Sequence, residues 1–335
     1  MKPLRYIFKS LALSLPLLGG GSPVLAATLL HSGTFLNTDY ASAGVGGLRG
    51  GNGTGSLVLS GVTGTVTRAL LYWHGPQYSS DSNGSVLFNG TRVEGASIGL
   101  AGENCWWGFA NSQAYRADVT SLVTGSGAYS LADFIKPGLA DINGVSLLVA
   151  FDDGNSANNR DIMVFEGNDS NIGTGGDEDG WEAALGSFVY SSGDVVLELG
   201  VSDGQFANDA SVSLNDQPLI PAGPIFEGIS VPNGPTAGLT DGGLWDIKRY
   251  EIDAWLTQGA NELALTSGIE DDCLSLVHAV LNLPAGSSPA PPPSRVPDHG
   301  GTLALLAVSA ALLRAVAGKT RHSLTAQKFP GTSRA

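Results

Sequence analysis

One phrase, written twice, constrains this chain more than any other feature. Tyr115-Arg-Ala-Asp-Val-Thr-Ser-Leu-Val-Thr-Gly runs on to Leu131, and Tyr250-Glu-Ile-Asp-Ala-Trp-Leu-Thr-Gln-Gly runs on to Leu265. Each places an Asp three residues after a Tyr, then a short apolar run, a Gly and an alternating segment. That pattern predicts a strand ending at the Asp, one helical turn capped by its carboxylate, and a new strand after the Gly. The flanks repeat in the same order. Upstream, Ser85-Val-Leu-Phe-Asn-Gly and Ser211-Val-Ser-Leu-Asn-Asp each predict a strand and a tight hairpin. Downstream, Val145-Ser-Leu-Leu-Val-Ala-Phe and Leu274-Ser-Leu-Val-His-Ala-Val predict buried strands. Three correspondences in one order predict two similar domains in tandem.

Gly, Ser, Asn and Asp crowd between short Val/Leu/Ile/Phe runs, and no long amphipathic helix is written anywhere. The expectation is all-β, with strands near Ala27–Leu36, Ser56–Leu59, Val66–Trp73, Ser85–Asn89, Val145–Phe151 and Ile162–Phe165 in the first half. In the second half they are expected near Ser187–Tyr190, Val195–Val201, Ser211–Asn215, Trp245–Ile252, Glu262–Thr266 and Leu274–Leu283. The reading divides the chain into domain 1 (27–166), an acidic Gly-rich connector (167–180), domain 2 (181–285) and a Pro-rich linker (286–295).

The ends predict export. Lys2, Arg5 and Lys9 precede an apolar run from Leu11 to Leu18, and Val24-Leu-Ala26 supplies small residues for cleavage. This is the layout of a signal peptide over 1–26, with a signal helix too short to span a bilayer. After the linker come Val296-Pro297-Asp298, an apolar stretch to Leu313, Arg314, and the basic pair Lys319 and Arg321. Residues 296–321 resemble the PEP-CTERM class of bacterial sorting signals, in its Val-Pro-Asp variant, followed here by a tail over 322–335. The resemblance implies a short hydrophobic C-terminal helix, transient anchoring in the inner membrane and an exosortase-type processing enzyme as partner, beside signal peptidase. Arg314 shortens the apolar run, and the chain continues past the basic pair, both departures from the class.

Charge narrows the partners. Outside residues 1–26 and 296–335 the chain keeps nine of its 17 basic residues and 30 of its 31 acidic ones, a net charge near −21. Nucleic acid is disfavoured, because nothing would replace the phosphate counterions. Acidic loops offer oxygens for a structural calcium ion: Asp152, Asp153, Asn155 and Asp161 in one, Asp177 and Asp179 in the other. Cys105 and Cys273, one per half, are candidates for a disulfide in an oxidising compartment.

Each half also resembles the galactose-binding-like jelly rolls of secreted and surface proteins. The phrases that carry this are Asn89-Gly90 with Asp118-Val119-Thr120 and Gly125, and more loosely Asn215-Asp216 with Asp253, Gly259 and Asn261. The first half is also similar to uncharacterised surface-protein domains with a phrase like Leu71-Tyr72-Trp73. The resemblance implies two tandem jelly-roll β-sandwiches and leaves the ligand open. Trp106-Trp107 and Tyr78, in polar loops, are the candidates for stacking on sugar rings; the other reading has one tryptophan capping the sandwich end. Gly95-Ala-Ser97-Ile-Gly99 matches a nucleophile elbow in letters only, and a loop is expected there rather than a strand-turn-helix. His31, His74 and His278 lack metal-ligand spacing, and His278 is expected to be a hydrogen-bonded core residue. The function expected is a non-catalytic binding or structural module at the cell surface or in an extracellular polymer matrix, with a polysaccharide or glycan as partner. The alternative is a glycan-directed hydrolase or amidase, because secreted amidases that strip N-glycans share a tandem jelly-roll frame.

Overall fold

The computed structural model describes residues 28–102, 108–171, 180–234, 241–268 and 272–288. The predicted signal helix and hydrophobic tail helix lie outside these. The described residues all belong to one compact unit. Among the described residues there is no helix of seven or more residues, and none long and apolar enough to cross a membrane. The chain is all-β.

The first half contributes β1 (Leu30–Val45), β2 (Gly55–Leu59), β3 (Thr65–Gln77), β4 (Ser85–Phe88), β5 (Thr91–Glu94), β6 (Ala96–Gly102), β7 (Asn111–Asp118), β8 (Gly127–Ala132) and β9 (Gly144–Asp152). The second contributes β10 (Arg160–Ser170), β11 (Trp181–Tyr190), β12 (Val196–Ser202), β13 (Val212–Leu214), β14 (Gln217–Ile220), β15 (Trp245–Glu251), β16 (Gly259–Ser267) and β17 (Ser275–Pro284). One nine-stranded sheet runs β15-β12-β17-β10-β1-β9-β3-β7-β6, and two four-stranded sheets run β2-β8-β4-β5 and β11-β16-β13-β14. The orders β1-β9-β3-β7 and β10-β17-β12-β15 are one pattern traced twice, as are those of the two smaller sheets.

The repeat therefore starts at β10, which takes the place of β1, before the connector at 167–180. Gly167–Ser170 are the end of that strand, and 172–179 lie outside the described residues. The expected linker also begins inside the fold: Asp161 Oδ2 accepts from the backbone N–H of Gly286 (2.9 Å) and Ser288 (3.0 Å).

Alternation along the strands sorts the apolar side chains into three layers. Ala69, Leu71 and Trp73 of β3 join Leu57, Phe88 and Tyr129 in a core between the first half's two sheets. Leu197, Leu199, Leu276 and Leu281 join Trp181, Phe188 and Leu265 in the matching core of the second half. The residues pointing the other way, Leu70 and Tyr72 with Ile162, Val164, Trp245, Val277 and Val280, meet in a third layer. The long sheet thus turns back on itself and packs its two halves face to face. The turn falls in β1, whose first part pairs with β10 and whose last part, from Asp39, pairs with β9, with an irregularity between Phe35 and Thr38. Close approach is possible because small residues face large ones. A Cβ on Gly144 of β9 would stand 2.4 Å from Trp245 of β15 across the layer; within the second half's own sheet, one on Gly200 would stand 2.0 Å from the ring of its cross-strand neighbour His278.

Both predicted hairpins form with positive φ at each central residue: Asn89 at 48° and Gly90 at 77°, Asn215 at 50° and Asp216 at 59°. That is the backbone a two-residue primed turn requires. The Tyr-x-x-Asp turns divide. Asp118 Oδ1 accepts from Thr120 N–H (3.0 Å) and its hydroxyl (2.6 Å), bridging into the turn Thr120–Leu122. Asp253 lies inside its own turn, Asp253–Trp255, which has no side-chain cap. The expected loop at Gly95–Gly99 is instead β6, because its residues ladder onto β7 from Ala96 opposite Arg116 to Gly102 opposite Asn111.

Candidate functional site

The polar groups concentrate in the third layer, between the two inner faces of the folded sheet. Two matching clusters of Tyr, Glu and Arg cross it. Glu198 on β12 accepts from Tyr40 and Ser42 hydroxyls (2.7 Å each) and pairs with Arg249 (2.7 Å). Glu166 on β10 accepts from the Tyr72 hydroxyl (2.8 Å) and pairs with Arg116 (3.0 Å). In each, the Tyr reaches across from the opposite half, so the clusters join the halves. Burial, then the facing carboxylate, pushes both Tyr hydroxyls well above their usual range.

Further along lies a serine–histidine contact. Ser202 Oγ is 2.6 Å from His74 Nδ1 and accepts from Asn143 Nδ2 (2.9 Å). Arg49 donates to Asn143 Oδ1 and stands 3.5 Å from Asp141 and 3.6 Å from Asp203. Burial, and then the Arg49 charge, pushes His74 down to about 3, against a side-chain interaction with Asn168. A neutral imidazole can accept the Ser202 proton, as a general base must. Yet Ser202, His74 and Asn143 are all fully buried (0 % exposed), so a substrate has no approach to the hydroxyl. The chemistry available here is cross-linking the two halves. His278 is equally buried and lies 5.2 Å from the Tyr72 ring, and its two nitrogens have no hydrogen-bond partner, contrary to the expectation. Burial and the Arg249 charge push it to about 3.

A second concentration holds the buried carboxylates Asp203, Asp209, Asp246 and Asp272 at one end of the second half. Backbone N–H groups meet them: Ile225 and Phe226 on Asp209, Gly228 and Ser230 on Asp246, Gln205 and Cys273 on Asp272. Burial lifts Asp272 to about 7, with Asp209 and Asp203 adding to the rise and the two N–H bonds opposing it. Asp209 is raised for the same first reason. These residues escaped the sequence reading. Its usable signal was a charge set among apolar strand residues, as in Trp245-Asp246-Ile247 or Val196-Leu197-Glu198-Leu199.

Among the predicted stacking residues, Tyr78 is half-exposed, with its ring 4.6 Å from that of Phe109. Trp106 and Trp107 lie outside the described residues. The proposed calcium ligands do not converge. Asp152, Asp153 and Asn155 accept from N–H groups two residues on, and Asp153 also takes Asn158 Nδ2. Asp161 is buried and holds Asn37, Gly286 and Ser288 instead. Among the described residues no group of three or more His, Cys, Asp or Glu could hold a metal ion; Asp177 and Asp179 lie outside them. Cys273 is buried and disulfide-bonded, and Cys105, the chain's other cysteine, lies outside the described residues. Val296, Pro297, Asp298 and Arg314 lie outside them too. Ser97 of the Gly-x-Ser-x-Gly phrase accepts from Gln113 Nε2 (2.5 Å) in the β6–β7 ladder and lines a cleft of about 350 Å³ with His31, Arg116 and Glu166.

Compared with known proteins, the chain matches no family model, no curated protein and no solved structure.

Proposed function

We propose that this chain is an exported, non-catalytic binding or structural module of the cell surface or extracellular matrix, built from two jelly-roll domains fused back to back. One observation carries the non-catalytic part. Among the groups that could do chemistry, His74, Ser202 and Glu198 are buried and spent on joining the halves, and the half-buried Glu166 and Arg49 are held in ion pairs with Arg116 and with Asp141 and Asp203. The strand orders β1-β9-β3-β7 over β2-β8-β4-β5, and their second-half copies, support the jelly-roll reading. Export and sorting rest on the signal-peptide layout of residues 1–26 and on Val296-Pro297-Asp298 with the apolar run and Arg314. On this reading signal peptidase and an exosortase-type enzyme are the processing partners. Trp106, Trp107 and the half-exposed Tyr78 are on this reading the residues that stack on the sugar rings of a polysaccharide.

The test is a glycan-array screen of the full chain beside Trp106→Ala and Trp107→Ala. Binding lost in both variants supports a lectin-like module, and matrix incorporation without binding supports a structural one. Release of sugar or amine from a glycopolymer would overturn the non-catalytic reading and install the hydrolase or amidase alternative. Deleting Val296–Ala335 is expected to change location and processing.

A further inference from the structure

The two copies differ at one edge. In the first, β6 closes the sheet by pairing with β7, Gly99 opposite Ala114 and Ala96 opposite Arg116. In the repeat these β7 positions correspond to Ile247 and Arg249 of β15, because Val119 N–H on Ala69 O and Ile252 N–H on Val195 O mark the same step of the two ladders. No described strand lies beyond β15. The intervening chain leaves instead for the first half, where Gly46 N–H meets Pro232 O (3.0 Å) and Gly234 N–H meets Gly46 O (2.8 Å).

The direction of the β15 amides follows from their neighbours. Ile252 N–H and Leu244 C=O turn to the β12 side, to Val195 and Asp203, so even-numbered residues pair inward. Ile247 N–H turns outward, to Ser230 Oγ (2.9 Å). Arg249 and Glu251 therefore present their backbone N–H and C=O groups to the open edge. Beside that edge lies a cleft of about 390 Å³, lined by Lys248, Tyr250 and the segment Ile220–Ile225. The edges of the second half's smaller sheet are interrupted: Thr28 Oγ1 bonds Glu182 O and Ser287 O accepts Val189 N–H along β11, and Pro218 interrupts β14.

We infer that the open edge of β15 pairs antiparallel with β15 of a second copy of this chain, about a two-fold axis at Tyr250. Arg249 pairs with Glu198 through Nε yet keeps about half its side chain exposed, and its complementarity to Glu251 selects this occupant and this register. Pairing centred on Tyr250 sets Arg249 opposite Glu251 of the second copy, and symmetry repeats the pair. Both residues point their amides outward, so each pair exchanges two backbone hydrogen bonds. The neighbouring registers of the same parity oppose Arg249 to Arg249 or Glu251 to Glu251. A run of like charges would blunt such an edge; opposite charges two residues apart make it self-complementary. Tyr250 meets its copy on the cleft side.

Sedimentation of the full chain up to about 100 μM, the range of small interfaces, reads the association. Hydrogen exchange over residues 245–252 reads the register. The expected result is a dimer, with the Arg249 and Glu251 amides gaining protection as concentration rises. Glu251→Arg opposes Arg to Arg twice, and Glu251→Pro removes an outward N–H without touching the β12 ladder. Each is expected to weaken association at least about tenfold, equivalent to ~1.4 kcal/mol, with melting unchanged because Glu251 is exposed. A monomer at about 100 μM, protection elsewhere, or a dimer that survives both substitutions would overturn the inference.

Discussion

The two halves share a strand order but differ in what surrounds it. The first carries an extra strand, β6, laid against β10 so closely that a Cβ on Gly99 would stand 2.6 Å from the Asn168 backbone. The second sends the corresponding chain outward to brace its neighbour. The first caps its Tyr-x-x-Asp turn, and the second does not. Strand order survives such differences because it rests on alternating burial, which many side chains satisfy. Caps, edges and loops each rest on one or two residues.

The largest expected effect comes from breaking what the halves share. Trp245 is fully buried between them, over Gly144, with its indole N–H on Ser146 Oγ (2.9 Å). Trp245→Ala should cost about 3–5 kcal/mol in denaturant unfolding and shift probes in both halves together. Trp255→Ala, at a 36 % exposed position, should stay within about 0.5 kcal/mol.

Acid is the next lever, and its sign depends on which group titrates. His74 in the first half and His278 in the second both fold with values near 3, below the ordinary 6.5. Their contribution is whole above pH 6.5 and declines as pH falls toward 3, on the order of 1 kcal/mol per pH unit for each. Asp272, raised from 3.8 to about 7, runs the opposite way: its contribution is whole below 3.8 and is lost as pH rises through 7. Melting should therefore be highest near pH 6.5. Asp272→Asn should steepen the acid side and flatten the fall above pH 6.5, as thermal scans across pH would measure.

The turns offer a smaller contrast. Burial raises the Asp118 carboxyl, but its Thr120 bonds and the nearby Arg68 outweigh this and hold it below its usual value. Asp118→Ala should cost about 1 kcal/mol, and Asp253→Ala, which removes no cap, less than half of that.

How much of this was legible in the sequence follows from range. The strands around Asn89-Gly90 and Asn215-Asp216, and the buried runs at Val145 and Leu274, were legible because turn chemistry and apolar alternation are local. The pairing of β1 with β10 was not, since Leu30 and Glu166 are opposed only once the chain has closed on itself. For the same reason the polar seam stayed hidden: Tyr40, Glu198 and Arg249 meet from three strands far apart in the chain. The acidic loop differs in a third way. Asp152 and Asp153 read as cation ligands, but short polar side chains in a turn satisfy the N–H groups two residues on. With those oxygens engaged, millimolar Ca²⁺ against chelator should move the melting temperature by less than about 1 °C, on the order of 0.3 kcal/mol; a larger rise would bring Asp177 and Asp179 back as ligands.

The most direct test of the shared-sheet account is differential scanning calorimetry of the full chain. The pairing of β1 with β10, and the layer sealed by Trp245, Tyr72 and Glu198, predict one unfolding transition with calorimetric and van't Hoff enthalpies equal. Two resolved transitions, each shifted by substitutions in only one half, would contradict it.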